Sequence, residues 1–200
     1  PNTKFGLRDR VILILLYDTA VRISELLNIR LGDIALNTKY PSIFITGKGN
    51  KERTIQLTDK ATEHLKEYLR VYHKNQSPDN YLFSTTIKGH TDRMSVANVQ
   101  RVIKKYSAIV RDSGIDLPKS VHCHMFRRTR ATNLYQDGVA IELVSTVLGH
   151  ARTDTTKSYY AKPSVEQLRA AMESVPTPVE SESPLWVGNE DEMARMCGLR

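Results

Sequence analysis

One stretch of the chain departs from the helical periodicity of its neighbours. Residues 41–57, PSIFITGKGNKERTIQL, alternate apolar and polar side chains up to Gly47, cross a glycine-rich turn at 47–50, and then alternate again. A period of two predicts strands, and glycines between two such runs predict the turn of a β-hairpin. We expect residues 33–36 to supply a third strand. The chain must therefore fold with a small antiparallel sheet among its helices.

The other segments have the spacing and the end signals of helices. Apolar residues at helical spacing predict a buried helix over 7–18, and Asp59 and Ser95 are expected to cap two later helices. Glycines at 114, 138 and 149 predict helix ends. The remaining helices are expected over 24–29, 59–73, 95–112, 122–137, 140–148 and 164–174, with one more, capped by Thr153 or Asp154, that carries Tyr159 and Tyr160. The expected fold class is mainly α (α+β).

The C-terminal end differs in composition from the rest. Pro176, Pro178 and Pro184 surround VESES and predict a linker over 175–184, followed by enough apolar residues for one small docking helix. We expect a catalytic domain over 1–174 and an acidic linker and tail over 175–200. The chain begins with proline, so we expect it to be a fragment that lacks N-terminal DNA-binding domains.

The charge points to an anionic partner. The net charge is +7, and six acidic residues against two arginines after position 170 leave that end at −4 and the body at +11. A body this basic predicts a nucleic-acid-binding surface, although a soluble basic protein explains the charge equally well. Two distant cysteines, no signal peptide and no apolar run long enough for a bilayer favour a cytoplasmic, nucleoid-associated protein without membrane contact.

Several residues carry chemistry that suits a phosphate. Arg22 lies three residues before Glu25, where the carboxylate can fix the guanidinium on one helix face. Lys48 lies at the glycine-flanked hairpin tip, from which an ammonium can reach a ligand, and Lys51 and Arg53 are nearby competitors for that role. His124 and Arg127 share a helix face, and His150 follows Leu148-Gly149. Each also has an ordinary explanation: a structural ion pair, a turn lysine, a basic DNA-facing helix, or a histidine that bonds turn backbone.

Taken in chain order, these motifs are specific. RISEL, GKGNKER, HMFRRTRAT, LGH and TTKSYY resemble the catalytic domain of the tyrosine recombinases, the phage integrase family, over residues 7–163. Two positions depart from the common family pattern: Ala20 stands where glycine is frequent, and Arg128 where histidine is frequent. Neither performs a catalytic step, so we expect altered packing or DNA contact there and not inactivity.

The resemblance implies a role for each matching residue. Arg22 and Arg127 would clamp the scissile phosphate, with Glu25 orienting the site beside Arg22. His124 and His150 would hydrogen-bond the same phosphate or assist proton transfer. Lys48 would protonate the leaving 5′ oxygen, and Tyr159, nine residues after His150, would attack the phosphorus. The residues expected to contact DNA are Lys51, Arg53, Arg128, Arg130 and Arg152.

The chemistry fits these residue types. A phosphodiester transition state spreads negative charge over the non-bridging oxygens, which fixed arginines stabilise. A phenol with a pKa near about 10 needs a base or a cationic field to attack at neutral pH. The phosphotyrosine conserves the energy of the broken strand, so we expect no cofactor and no metal. Adjacent helical residues point about 100° apart, so only one of Tyr159 and Tyr160 can face the phosphate.

The expected function is site-specific recombination of double-stranded DNA that integrates or excises a mobile element. The expected partners are further copies of the chain in a tetrameric synapse, docked in trans through their C-terminal segments, and an accessory DNA-bending or excision protein. Three alternatives stay open: a non-catalytic DNA-binding protein, a chromosome-dimer resolvase of the same family, and a strand-relaxing enzyme like a type IB topoisomerase.

Overall fold

A computed structural model gives the fold of this chain and describes residues 4–47, 49, 51–149, 165–174, 191, 194, 195 and 198. The chain divides into two compact units, residues 1–162 and residues 163–200. The helix at 165–174, which the sequence analysis groups with the catalytic domain, belongs to the second unit.

Helices are the predominant elements among the described residues of the first unit. The buried helix expected over 7–18 begins three residues earlier, and a short helix follows it after Arg22, whose backbone is extended. The glycine at position 149 ends a helix in the left-handed conformation, as the sequence predicts. The helices are α1 (Lys4–Asp18), α2 (Ile23–Asn28), α3 (Asp59–Tyr72), α4 (Val96–Asp112), α5 (Cys123–Gln136) and α6 (Ile141–Leu148), with α7 (Val165–Ser174) in the second unit.

The predicted hairpin supplies two strands of a three-stranded antiparallel sheet. Strand β1 (Ile34–Ala35) pairs with β2 (Ser42–Thr46), which pairs in turn with β3 (Glu52–Gln56). The backbone N–H of Gly47 donates to the Lys51 carbonyl at 2.7 Å and closes the loop between β2 and β3. The loop tip therefore begins immediately after Gly47.

Two clusters of buried side chains fill the first unit. The larger joins α1, α2, the sheet, α3 and α4, and the smaller consists of Ala20, Ala131, Val144 and Leu148. The smaller cluster packs α5 and α6 against the turn between α1 and α2. This packing sets Arg22, at the end of that turn, close to the elements that carry the later motifs.

Two local features differ from the sequence-based expectation. Thr58, and not Asp59, caps α3, because its hydroxyl accepts a hydrogen bond from the Ala61 N–H at 3.3 Å. A second hairpin, β4 (Ser84–Ile87) with β5 (His90–Arg93), was not predicted, since its strands lack the apolar alternation of buried strands. Within the described part of the chain, no helix is long and apolar enough to cross a membrane.

Candidate active site

Arg22 is fixed by local geometry at the start of α2. It occupies the N-cap position, and its backbone N–H donates to Glu25 Oε2 at 2.9 Å, as in half of a capping box. Its guanidinium Nη1 donates to Glu25 Oε1, also at 2.9 Å. The Arg22 side chain is nevertheless 43% exposed. Glu25 thus orients a guanidinium that remains open to an anion from solvent.

Glu25 is a buried carboxylate between two arginines. Its side chain is only 4% exposed, and Arg53 Nη2 donates to Oε2 at 2.8 Å, in addition to the bonds from Arg22. Burial raises the pKa of the Glu25 carboxyl, but hydrogen bonds and charge from Arg53 and hydrogen bonds from Arg22 outweigh it, so the pKa falls below its ordinary value. Glu25 is therefore ionised at neutral pH.

Arg53 lies inside the structure, on the inner face of β3. It pairs across the sheet with buried Ile45, and its side chain is 14% exposed. Its Nε donates to the Val147 carbonyl at the end of α6 at 3.3 Å. The guanidinium also lies against Gly149, where an added Cβ would come within 2.8 Å of Cζ.

Arg127 connects three elements at the centre of the first unit. It lies on α5, is 2% exposed, and donates from Nη1 to the Ala20 carbonyl at 2.8 Å and from Nη2 to the Leu148 carbonyl at 2.7 Å. In the sequence, Ala20 is two residues before Arg22 and Leu148 is two residues before His150. Ala20 adopts a φ of 50°, in the left-handed region, which explains why glycine suits that position.

His124 lies one helical turn before Arg127 and is exposed. Partial burial lowers the pKa of its imidazole, and the positive charges of Arg127, His122, Arg128 and Arg22 lower it further. Arg127, one helical turn after His124, bonds to the Ala20 carbonyl two residues before Arg22, so α5 meets the start of α2 at this point. A neutral imidazole there is able to accept a proton.

The structure therefore brings together four of the predicted site residues, Arg22, Glu25, His124 and Arg127. Lys48, His150, Arg152 and Tyr159 lie outside the described residues. Their neighbours in sequence are described: Gly47 packs against the Glu25–Arg53 pair, and Gly149 packs against the Arg53 guanidinium. The backbone on the N-terminal side of Lys48 and of His150 thus lies beside this pair.

The residues expected to contact DNA have different environments. Lys51 and Arg128 are exposed. Arg130 lies over the Tyr17 ring and pairs with Asp18 at 3.7 Å, and Arg53 is bound to Glu25. The internal position of Arg53 was not predicted, although the alternation that places Ile55 inward places Arg53 on the same face.

Sequence comparison finds related proteins over most of the chain. A sequence model of the Phage integrase family matches residues 1–166. The tyrosine recombinase XerC of Staphylococcus carnosus (strain TM300) is 39% identical over 166 residues, which cover 82% of this chain and 52% of XerC. The chain spans about half the length of the curated relatives it matches.

Two solved structures share the fold. The XerH site-specific recombinase bound to palindromic difH substrate, in a post-cleavage complex, superposes with a TM-score of 0.69 at 27% identity, over 87% of this chain and 47% of XerH. The Tn1549 transposon integrase in complex with a circular intermediate DNA superposes with a TM-score of 0.65, over 87% of this chain and 60% of the integrase. At 21% identity this second likeness concerns the fold alone.

Proposed function

The chain belongs to the phage integrase family and forms a tyrosine recombinase catalytic domain, and on this premise we propose that it cuts and rejoins DNA in site-specific recombination. The observation that carries the proposal is that the fold holds Arg22 and Arg127 at neighbouring points of the backbone. Glu25 fixes the first guanidinium, and the second bonds to Ala20, two residues before the first. The positive charges of both arginines lower the pKa of the His124 imidazole.

The proposed first step is attack of the Tyr159 hydroxyl oxygen on phosphorus. The Tyr159 Oη–P bond forms as the P–O5′ bond breaks, leaving a 3′-phosphotyrosine and a free 5′ hydroxyl. The phenol proton passes to a base, for which His124 and His150 are the two candidates, and Lys48 protonates the departing 5′ oxygen. Guanidinium donors at the non-bridging oxygens, from Arg22 and Arg127, stabilise the transition state by about 3–4 kcal/mol each.

The second step reverses the first with another strand. A 5′ hydroxyl attacks the phosphotyrosine, the P–O5′ bond re-forms and the Tyr159 hydroxyl is regenerated. The number of phosphodiester bonds is conserved, so this chemistry consumes no nucleotide cofactor, and cationic side chains supply the stabilisation of the phosphate charge. Lys51, Arg128 and Arg152 would add phosphate contacts around the site, whereas Arg53 and Arg130 are bound within the fold by Glu25 and Asp18.

The proposed task is integration or excision of a mobile element, carried out by copies of the chain assembled on double-stranded DNA. In that assembly the segment 175–200 would dock on a neighbouring copy, and an accessory DNA-bending protein would shape the site. The higher sequence identity to XerC and XerH than to the Tn1549 integrase favours a second candidate, recombination of the kind that the Xer recombinases perform.

A covalent-adduct experiment tests the proposal. The full-length protein that contains this chain is incubated with a duplex bearing the repeats that flank its gene, nicked close to the cleavage position so that the cut end diffuses away. We expect a protein–DNA band that survives denaturing electrophoresis, forms in the presence of EDTA and carries the label on the strand ending in a 3′ phosphate. Tight binding to the same duplex without such a band would identify a non-catalytic DNA-binding protein.

A further inference from the structure

The Arg53 guanidinium lies between Glu25, the backbone at Gly47 and the C-terminal end of α6. Its guanidinium contacts Glu25, which also holds Arg22, and it contacts the C-terminal end of α6. We propose that Arg53 is a positioning residue that aligns Arg22, the loop carrying Lys48 and the turn carrying His150 on the one carboxylate of Glu25. The proposal rests on the proposed function and adds to it a residue that does not touch the substrate.

The first link is to the hairpin loop. A Cβ added to Gly47 would stand 3.2 Å from Glu25 Oε1 and 3.4 Å from Arg53 Nη1, so the backbone there packs directly on the ion pair. Gly47 also closes the loop through its bond to the Lys51 carbonyl. The point from which the Lys48 backbone departs is therefore set by the Glu25–Arg53 pair.

The second link is to the end of α6. Arg53 Nε donates to the Val147 carbonyl, and the guanidinium plane lies where a Cβ of residue 149 would stand. Gly149 has a φ of +64°, and the chain turns there into His150. The same guanidinium therefore fixes the approach to His150 through a hydrogen bond and through van der Waals contact.

These links require an arginine and not only a positive charge. Arg53 uses Nη1 and Nη2 on Glu25 and Nε on Val147, which is a planar fork that one ammonium nitrogen cannot reproduce. Lysine at position 53 keeps the charge beside Glu25 and loses the bond to α6. The Arg53→Lys variant therefore distinguishes the effect of the hydrogen bond to α6 from the effect of the positive charge beside Glu25.

The first test measures single-turnover cleavage of the nicked duplex by full-length protein at saturating DNA. We expect Arg53→Lys to lower the cleavage rate about 100-fold, since a displacement of about 1 Å in a reacting geometry has that effect. DNA affinity should stay unchanged. The matched control is Arg111→Lys, since Arg111 is also a partly buried arginine that bonds backbone carbonyls, those of Pro118 and Lys119, away from this pair.

The second test asks which step is misaligned. A substrate with sulfur in place of the bridging 5′ oxygen releases a thiolate, which needs no proton from Lys48. If Arg53 sets the position of the Lys48 loop, the loss of cleavage rate in Arg53→Lys, relative to the wild type, should be at least about tenfold smaller on this substrate than on ordinary DNA. Lys48→Ala should show the same reduction of its defect. Wild-type rates on both substrates, or an equal defect on both, would overturn the proposal and leave Arg53 a structural residue.

A glycine pair repeats the test without removing the arginine. Gly149→Ala drives a methyl group to 2.8 Å from the Arg53 guanidinium, whereas Gly138→Ala places alanine at a comparable positive φ with nothing within 4 Å. We expect slowed cleavage only in Gly149→Ala, and equal rates in the two variants would contradict the proposal. A wild-type protein that forms no adduct contradicts the proposed function on which this inference rests, whereas an active wild type with equal rates in the two glycine variants contradicts this inference alone.

Discussion

At the scale of single residues, the site is an arrangement of fixed positive charge around a neutral histidine. Arg127 is buried against two backbone carbonyls, while Arg22 is open to solvent and held by Glu25. An anion that enters this region meets donors whose positions are already set, so little reorganisation precedes the reaction. The cost is that His124 is surrounded by like charge and resists protonation.

The titration of His124 is therefore a direct prediction. Its pKa in the folded protein is lowered, so its ring should titrate below about 6.5, the ordinary value, in a carbon-resolved NMR titration. The native state binds this proton less readily than the unfolded state. The stability contribution of the neutral ring is thus present above about 6.5 and is lost as pH falls through the lowered pKa.

The matched measurement is the melting temperature between pH 7 and pH 5. The melting temperature of His124→Gln should fall less than that of the wild type over this interval, because the variant has no imidazole to protonate. A ring midpoint at or above the ordinary value, or identical declines in the two proteins, would show that the surrounding arginines do not act on His124 as the structure indicates.

At the scale of elements, what the sequence could predict follows the range of each interaction. The hairpin around Gly47, the glycine ends of α5 and α6, and the Arg22–Glu25 pair depend on neighbours a few residues apart, and the structure has all of them. Arg127 reaches Ala20 across 107 residues, and Arg53 reaches Glu25 across 28. Such contacts arise from tertiary packing, which local periodicity does not encode.

The β4–β5 hairpin shows a different cause of failure. All four residues of β5 are exposed, so no apolar face marks the strand, and only the turn at Lys88-Gly89 signals it. Both turn residues have positive φ, which suits a two-residue hairpin loop. An exposed strand therefore has no apolar periodicity in the sequence, and only its turn residues indicate the hairpin.

The start of α3 gives an element-scale prediction. Because the Thr58 hydroxyl accepts from the Ala61 N–H, Thr58→Ala should lower the free energy of unfolding by about 1 kcal/mol. Asp59, the cap expected from sequence, lies inside the first turn, and Asp59→Ala should cost less because it loses only the favourable interaction with the helix dipole. Urea denaturation of both variants checks the order, and a larger loss in Asp59→Ala would reverse the assignment of the cap.

At the scale of the whole molecule, the charge is divided between a basic body and an acidic C-terminal end. The residues after 170 carry −4 and the rest +11, so the body suits DNA and the end does not. If residues 175–200 dock on a neighbouring copy, they contribute to assembly. If they fold back on the basic body, they compete with DNA.

Deletion of residues 175–200 from the full-length protein distinguishes these roles. We expect smaller protein–DNA assemblies by analytical ultracentrifugation, with affinity for a single site unchanged, because the docking segment is lost and the DNA surface is kept. Assemblies of wild-type size, together with tighter binding at low salt, would instead identify an acidic segment that screens the DNA surface.

The most direct test of the whole account is to locate the covalent bond. The adduct on the nicked duplex is digested with nuclease and protease, and the nucleotide-bearing peptide is sequenced by mass spectrometry. We expect the modification on Tyr159, with no adduct from Tyr159→Phe and a normal one from Tyr160→Phe. A modification on Tyr160, on another residue, or on none while the DNA is still cleaved would contradict the assignment of Tyr159 as the nucleophile.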